Sequence, residues 1–431
     1  MGKFIIVPGC SDLNRGDQAL AWETKKIMED AGYIGEYYLT AEKNEPVEQS
    51  RSQGLRIITP ILEHPSRKYK KNKNIQYTFG LKLRWGIIAL GDFIFSLFIL
   101  IPAFRHTLMP FLSLEKQESI KTFETADAIF LKGGGLLQTS GGFVSTYSMY
   151  FWTYPLRFAI KLGKPVFVLP NSFGPFKGPF VKRIAQRILS QCQVVTTRET
   201  YSQKMVKTDL NLDCPNFPDL AFSLAKSDLT RSDIFERFGI AGERKLVAIT
   251  MRPYRFPRAE NPELAYKKYV QEMGIFIRWL YENGYLPLLV VHTLAVNEHE
   301  DDFACLSEVM KMLDPEEYRL ISDKNFDCKD LKAVYAMCDY TIGTRFHSVI
   351  FSLASGVPSI AIAYVGNKAQ GIMHDMSLDS YVIDISKVTA NELIKKFIEL
   401  VDNTIDVKQK IAVYNASVKM LRTDLIDLLK K

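Results

Sequence analysis

The amino-acid sequence predicts an α/β protein made of two doubly wound parallel sheets. Three observations carry that expectation. Apolar runs of strand length alternate with segments of helical period, the pattern of a parallel sheet wrapped by helices. The alternation breaks down across 209–243 and then starts again. Strand after strand runs into a loop that presents glycine, arginine, histidine, lysine or asparagine, where open α/β sheets bind their ligands.

In the first series, strands are expected at 4–7, 57–60, 128–131, 166–169 and 194–196. Helices are expected near 17–31, 116–125, 146–162, 178–190 and 200–208. Together they form a Rossmann-like domain over 1–215, interrupted by a basic and apolar insertion at 64–112. Two prolines and mixed polarity across 209–243 mark a linker, placed at 216–243. The second series has strands at 246–250, 286–291, 318–321, 340–342, 359–363 and 381–383, giving a Rossmann-like domain over 244–388. The tail, 389–431, is helical and long enough to pack back across both halves. Two such domains on a linker imply a cleft between them.

Composition narrows the function classes. The chain has 431 residues, 47% hydrophobic and 24% charged, an ordinary globular balance. Its six cysteines are scattered without a CxxC or zinc-type spacing, as expected of reduced thiols. Residues 1–7 lack the long apolar region of a secretory signal, so a cytoplasmic location is expected. Net charge is +7. Between Glu63 and Asp92 there is no acidic residue, while Arg67, Lys68, Lys70, Lys71, Lys73, Lys82 and Arg84 fall there. The excess is therefore one local patch, and no nucleic-acid partner is expected. That patch runs into WGIIALGDFIFSLFILI at 85–101. Two readings stay open: a core helix or hairpin, or a helix that rests 67–101 on an anionic membrane surface.

The strand ends carry the candidate site. After the first strand come Asn14, Arg15, Gly16 and Asp17, with Asp17 placed to cap the next helix. After 128–131 come Gly133, Gly134 and Gly135, a tight glycine turn that can bring backbone N–H groups close to a ligand. Asn171 follows the next strand, and Arg198 the one after. In the second series, Arg252, His292, Arg345 with His347, and Lys368 stand at successive strand ends. Arg198, Arg252, Arg345 and Lys368 suit an anion site, since arginine grips two oxygens and lysine supplies a point charge. Arg345 and His347 sit in a first helical turn with Thr344 as the expected cap, where N–H groups and dipole favour an anion. His347 is the natural acid or base. The run NEHEDD at 297–302 holds His299, Glu300, Asp301 and Asp302, but consecutive residues do not share a helix face, and they read as partners of a helix N-terminus rather than metal ligands.

Six blocks carry a resemblance: NRGDQAL at 14–20, LKGGGLLQ at 131–138, NSFGPF at 171–176, VVTTRETYS at 194–202, VAITMRP at 247–253 and GTRFHSVIFSLASGVPSIAIAYVGNKAQGIM at 343–373. In this order they resemble the polysaccharide pyruvyl transferase family, closest to its bacterial exopolysaccharide (colanic-acid type) members. The resemblance implies the two-domain glycosyltransferase B architecture. It implies transfer of pyruvate from phosphoenolpyruvate onto two hydroxyls of a sugar as a ketal, with no metal or redox cofactor. It puts the family's RxH pair on Arg345 and His347, its trailing lysine on Lys368 and its first-domain arginine on Arg198. Asn14 and Asp17 match the N-terminal motif. Gln18 stands where many relatives carry an acid, so no catalytic role is expected there.

On this reading Arg198, Arg345 and Lys368 hold the phosphate and carboxylate, His347 moves protons, and Arg252 and Asn171 are secondary candidates. The expected acceptor is a sugar or lipid-linked oligosaccharide at the inner face of the plasma membrane, with the enzyme held there peripherally. The sequence specifies no oligomeric state. Two rivals make different demands. A nucleotide-sugar glycosyltransferase of the same architecture needs a ribose-binding acid in the second domain. A non-catalytic membrane-associated scaffold of a polysaccharide assembly complex would leave the strand-end residues dispensable.

Overall fold

The computed structural model describes residues 1–9, 11–63, 79–294, 300–364 and 366–430. Cys10, the basic stretch 67–73 and His299 lie outside the described residues. The chain divides into two compact units. The first holds Met1–Ser11, Thr24–Phe217 and Ile426–Lys431, and the second Asp12–Glu23 and Pro218–Leu425.

The first unit is built on β1 (Gly2–Val7), β2 (Gly35–Thr40), β3 (Leu55–Ile58), β4 (Ala128–Leu131), β5 (Gly134–Ser140), β6 (Val166–Lys177) and β7 (Val194–Thr197). Their order is β3-β2-β1-β4-β6-β5, with β7 paired to β6, and every pairing is parallel. The central strands read FIIV and AIFL because helices cover both faces of a parallel sheet. Ile5 and Ile129 are register partners and both are fully buried. Burying such a side chain stabilises by about 1.5–3 kcal/mol.

Three features of this sheet differ from the sequence expectation. β2 looks polar as GEYYLT, yet Tyr37 and Tyr38 bury their rings and donate their hydroxyls to the Tyr33 carbonyl and the Glu36 carboxylate. A tyrosine with its hydroxyl paired packs like phenylalanine. The glycine run is not a tight turn: Gly134 and Gly135 open strand β5. Glycine is needed there for close approach, since a Cβ at Gly135 would lie 3.1 Å from Arg198 Nη2. Finally, β6 continues to Lys177, well past its expected end, because β5 pairs with it from Asn171 to Lys177. Asn171 therefore sits within a strand, not in a loop.

The second unit is built on β8 (Lys245–Thr250), β9 (Tyr285–Val290), β10 (Arg319–Ile321), β11 (Tyr340–Gly343), β12 (Ser359–Ala363) and β13 (Val382–Asp384), in the order β10-β9-β8-β11-β12-β13. All pairings are again parallel. The chain runs outward from β8 in one direction through β9 and in the other from β11. The crevice at the carboxyl ends of β8 and β11 is thus the switch point where such sheets place ligands. The stretch 216–243 falls largely within this unit and holds a short 3-10 turn, Leu220–Phe222, and the helix Arg231–Phe238 with a Thr230–Asp233 capping box. The tail forms helices Ala390–Asp402 and Thr404–Leu429. Its last residues belong to the first unit, where Tyr33 donates its hydroxyl to the Leu429 carbonyl at 2.8 Å.

The insertion contributes the helices Phe79–Ile99 and Pro102–Leu108. Among the described residues no single helix is long and apolar enough to cross a membrane. The five described cysteines are free thiols.

Candidate active site

The turn after β11 is fastened to the end of β8. Thr344 donates its backbone N–H (3.1 Å) and its hydroxyl (3.0 Å) to the Thr250 carbonyl, and Arg345 N–H donates to Thr250 Oγ1 at 3.3 Å. Thr344 is therefore not the helix cap that the sequence suggested. Its hydroxyl is committed to β8, and Arg345 occupies the cap position of helix Phe346–Ala354 without a side-chain cap. His347 is the second residue of that helix. The positive end of the helix dipole stays open to an anion.

Arg345 turns inward. Its Nε donates to Asp302 Oδ1 at 2.7 Å, and Nη2 lies 2.7 Å from the same oxygen but off the N–H direction. The contact is a buried ion pair with one hydrogen bond, and Nη2 keeps an unused N–H. Asp302 Oδ2 accepts the backbone N–H groups of His292 (3.2 Å) and Thr293 (2.8 Å). Asp302 was read from sequence as a helix-terminus acid. Asp301 does that work, accepting from Phe303 and Ala304, while Asp302 is the fully buried counter-ion of Arg345.

Around this pair several buried donors lack partners. Among the described residues, Arg252 Nε, His292 Nε2, Thr293 Oγ1 and Arg345 Nη2 are buried without a hydrogen bond. Arg252 holds its guanidinium 4.2 Å from the Tyr364 ring centroid, a cation–π contact. His292 Nδ1 lies 3.1 Å from the Tyr335 hydroxyl. Burial, then the charges of Arg345, Arg15 and Lys368, push its pKa well below the usual histidine value. Unpaired buried donors are costly in a finished site, by about 1–3 kcal/mol each, and an anionic ligand would satisfy them.

His347 and Lys368 form the second part of the site. Lys368 Nζ lies 2.8 Å from His347 Nε2, and Asp219 Oδ2 lies 3.7 Å from the lysine and 3.9 Å from the histidine. Asp219 is fully buried, and its other oxygen accepts the Ala221 N–H at 2.9 Å. Sequence reasoning missed Asp219. An acid after a proline in a polar stretch is an ordinary turn signal and gives no hint of what it faces.

The segment Asp12–Glu23 completes this unit. Asn14 pairs with Thr293, and Leu13 accepts the Leu294 N–H at 2.9 Å, beside the end of β9. Asn14, not Asp17, caps the helix Arg15–Asp30. Its Oδ1 accepts Asp17 N–H at 3.2 Å, and its Nδ2 donates to Asp17 Oδ2 at 2.9 Å, so Asp17 reciprocates from the third helical position. Arg15 is buried and donates to the carbonyls of Asp12 and Lys324. Gln18 is also structural, joining Asp12 Oδ1 (3.0 Å) to the Cys328 N–H (2.9 Å). Gly16 has the most direct link to the site, because a Cβ there would fall 2.0 Å from His347 Nδ1. The glycine of NRGDQ makes room for the imidazole.

The first unit holds its own strand-end cluster. Arg198 is buried and donates Nε to Ser172 Oγ at 2.7 Å, and its backbone N–H donates to the Asn171 carbonyl at 3.1 Å. Asn171 Nδ2 donates to the carbonyls of Lys132 (3.0 Å) and Leu169 (2.7 Å), which fixes the passage from β4 to β5. Glu199 caps the following helix through the Ser202 N–H at 2.6 Å. Among the described residues no group of three histidines, cysteines or carboxylates is placed to hold a metal.

Similarity to solved structures shows the fold. A glycosyltransferase from Rickettsia africae superposes with a TM-score of 0.55 at 11% identity, covering 99% of this chain and 98% of that one. The UDP-GlcNAc 2-epimerase of Neisseria meningitidis gives 0.56 at 10% identity, with 99% of each chain covered. UGT71G1 of Medicago truncatula gives 0.53 at 12% identity over 99% of this chain and 98% of its own. The expected class, two parallel doubly wound sheets of the glycosyltransferase B type, is the one found. In sequence, the amylovoran biosynthesis protein AmsJ of Erwinia amylovora is 26% identical over 317 residues, 72% of this chain and 73% of that protein. The family model for polysaccharide pyruvyl transferase matches residues 14–367, from the Asn14 cap to the residue before Lys368, and the chain belongs to that family.

Proposed function

We propose that the protein transfers the pyruvyl group of phosphoenolpyruvate onto two hydroxyls of one sugar, as a cyclic ketal, in the assembly of an exopolysaccharide. Family membership supports the transferase reading, and the name of the relative AmsJ supports the polysaccharide context. The observation that carries the chemistry is the His347–Lys368 pair above buried Asp219, in the same unit as the unpaired donors of Arg252, His292, Thr293 and Arg345.

Phosphoenolpyruvate brings a carboxylate and a phosphate on adjacent groups. Arg345, Arg252 and the open helix N-terminus suit two-oxygen anions, and Lys368 suits the phosphate as a point charge. Arg198 of the first unit, with Gly133–Gly135 and Asn171 beside it, is assigned to substrate binding on its chemistry alone. The reaction begins with protonation of the donor's methylene carbon, which leaves a cationic carbon bearing carboxylate and phosphate. The first sugar hydroxyl adds to that carbon and loses its proton. The second hydroxyl then displaces phosphate, which departs with the bridging oxygen. Two hydroxyl protons are lost: one balances the proton placed on the methylene carbon, and the other leaves with phosphate.

His347 is the proton carrier. Its Nε2 lies 2.8 Å from Lys368 Nζ, close enough for a proton to pass between the two nitrogens. With the proton on lysine, imidazole is a neutral base for a hydroxyl. Asp219 sets a negative charge 3.7 Å from Lys368 in a site that otherwise collects cations. The drawn chemistry needs no metal or redox cofactor.

The test is phosphate release from phosphoenolpyruvate with and without a lipid-linked oligosaccharide acceptor, alongside nucleotide release from sugar nucleotides. The expected outcome is acceptor-dependent phosphate release and no nucleotide release. Nucleotide release alone would replace this reading with a glycosyltransferase.

A further inference from the structure

The helix Phe79–Ile99 poses a packing problem that the catalytic reading does not absorb. Its sequence, FGLKLRWGIIALGDFIFSLFI, is apolar on all sides, the composition of a buried helix. Its carboxyl end is packed, and Trp85 near its start is partly buried with its indole N–H shielded. Ser96 and Ile99 are buried, the Tyr154 hydroxyl donates to the Ser96 carbonyl at 3.1 Å, and Phe93 meets the Tyr150 ring at 4.9 Å. Leu83, Ile87, Leu90, Ile94 and Phe98 recur at helical spacing along one stripe. Their exposures are 56%, 64%, 59%, 46% and 40%. Beyond a 115° bend, Phe104 and Phe111 continue the exposed apolar surface. A contiguous stripe of this kind marks an interaction surface.

We propose that the stripe is a membrane-docking face, which lies along the headgroup layer of an anionic bilayer. Two observations choose this occupant. Among the described residues no single helix is long and apolar enough to cross a membrane, and the exposed apolar stripe with its continuation past the 115° bend fits an element lying along the interface. The charge is one-sided: from Glu63 to Asp92 there is no acidic residue, and the seven Lys and Arg in that interval include Lys82 and Arg84 of the helix itself. An anionic lipid surface complements that charge, whereas a second copy of the chain would set like charge against like. The inference does not depend on the proposed chemistry, because docking is read without turnover.

Flotation with the full chain tests it. One set of vesicles is pure phosphatidylcholine and the other contains about one-third phosphatidylglycerol, a fraction chosen to give a clearly negative surface. The protein is expected to float with the anionic vesicles, and less so as salt rises from about 0.1 to 0.5 M. The Leu83→Gln/Ile87→Gln/Leu90→Gln variant is expected to lose about tenfold or more of the bound fraction. Its melting temperature should be unchanged, since these side chains are exposed. Equal flotation of the variant, or failure of the parent protein to bind anionic vesicles, overturns the proposal. So does a dimer in sedimentation equilibrium that the variant dissociates, which would assign the face to a second copy.

Discussion

Within β6 and just after β7, the polar side chains of the first unit are tied to their own scaffold. Asn171 joins two carbonyls, Arg198 donates to Ser172, and Glu199 caps a helix. At the ends of β8, β9, β11 and β12, the second unit builds a different kind of cluster. Arg345 and Asp302 form a buried pair, yet among the described residues Arg345 Nη2, Arg252 Nε, His292 Nε2 and Thr293 Oγ1 lack partners, and His347 stands against Lys368. The same sheet topology thus supports two outcomes. Residues of similar type are hydrogen-bonded to their own scaffold in one unit and, among the described residues, keep unpaired groups in the other. A basic residue at a strand end is weak evidence of a site until its hydrogen bonds have been accounted for.

The largest expected effect lies at His347. His347→Asn should lower acceptor-dependent phosphate release by roughly 10²–10⁴-fold, the usual range for a positioned acid or base. Its melting temperature should stay near that of the parent. Retention of near-parent turnover would remove His347 from proton transfer and erase the functional half of the contrast. Next is Asp302→Ala. It strands the Arg345 charge in a buried place and frees two backbone N–H groups, so denaturant melts should show a loss of about 3–5 kcal/mol. A loss under about 1 kcal/mol would mean that water reaches the pair and that it is a surface ion pair in effect.

Gly16→Ala asks whether the NRGDQ segment acts through the imidazole. The new Cβ would sit 2.0 Å from His347 Nδ1, so the ring must move. A displacement of that order at a reacting group costs about 10²-fold in turnover. Stability should change far less, because the residue lies in a helix where alanine is favoured. Unchanged turnover would show that His347 tolerates displacement. The matching test in the first unit is Asn171→Ala, expected to cost about 1–3 kcal/mol of stability from two lost hydrogen bonds. If its turnover collapsed while its melting temperature held, Asn171 would contact substrate rather than only fix the passage from β4 to β5, and the comparison would fail.

The sequence was informative where one physical signal dominated. β4, β8, β11 and β12 were legible because both faces are covered and the runs are continuously apolar. β2 and β5 were not, since one hides its burial behind two tyrosine hydroxyls and the other begins with glycines that read as a turn. The site shows the same division. His347 and Lys368 stood out through residue type at strand ends. Asp219 and Asp302 did not, because a carboxylate beside a proline or at a helix start has an adequate local explanation. What each of them faces depends on residues 128 and 43 positions away, His347 and Arg345 respectively, and no local pattern encodes that.

The smallest expected effect concerns His292, and its sign follows from its surroundings. Burial and the nearby cations hold its folded pKa well below the value of about 6.5 that the unfolded chain shows. Above pH 6.5 both states are neutral there, and the residue makes no pH-dependent contribution. As the pH falls below about 6.5, the unfolded chain takes up a proton that the folded chain refuses. Stability is lost at up to about 1.4 kcal/mol per pH unit. His292→Phe keeps the ring against Tyr335 and Phe351 and removes this titration. Its stability should therefore fall less steeply than the parent's between pH 6.5 and 5. If the two profiles run parallel, His292 takes up its proton in the folded state, and the cationic surroundings that define the second unit's site are weaker than the geometry implies. A bound anion offers the sharper version of the test. Phosphoenolpyruvate would offset the positive charge around the imidazole and raise its folded pKa, so saturating donor should flatten the parent's acid limb and leave the variant's slope unchanged.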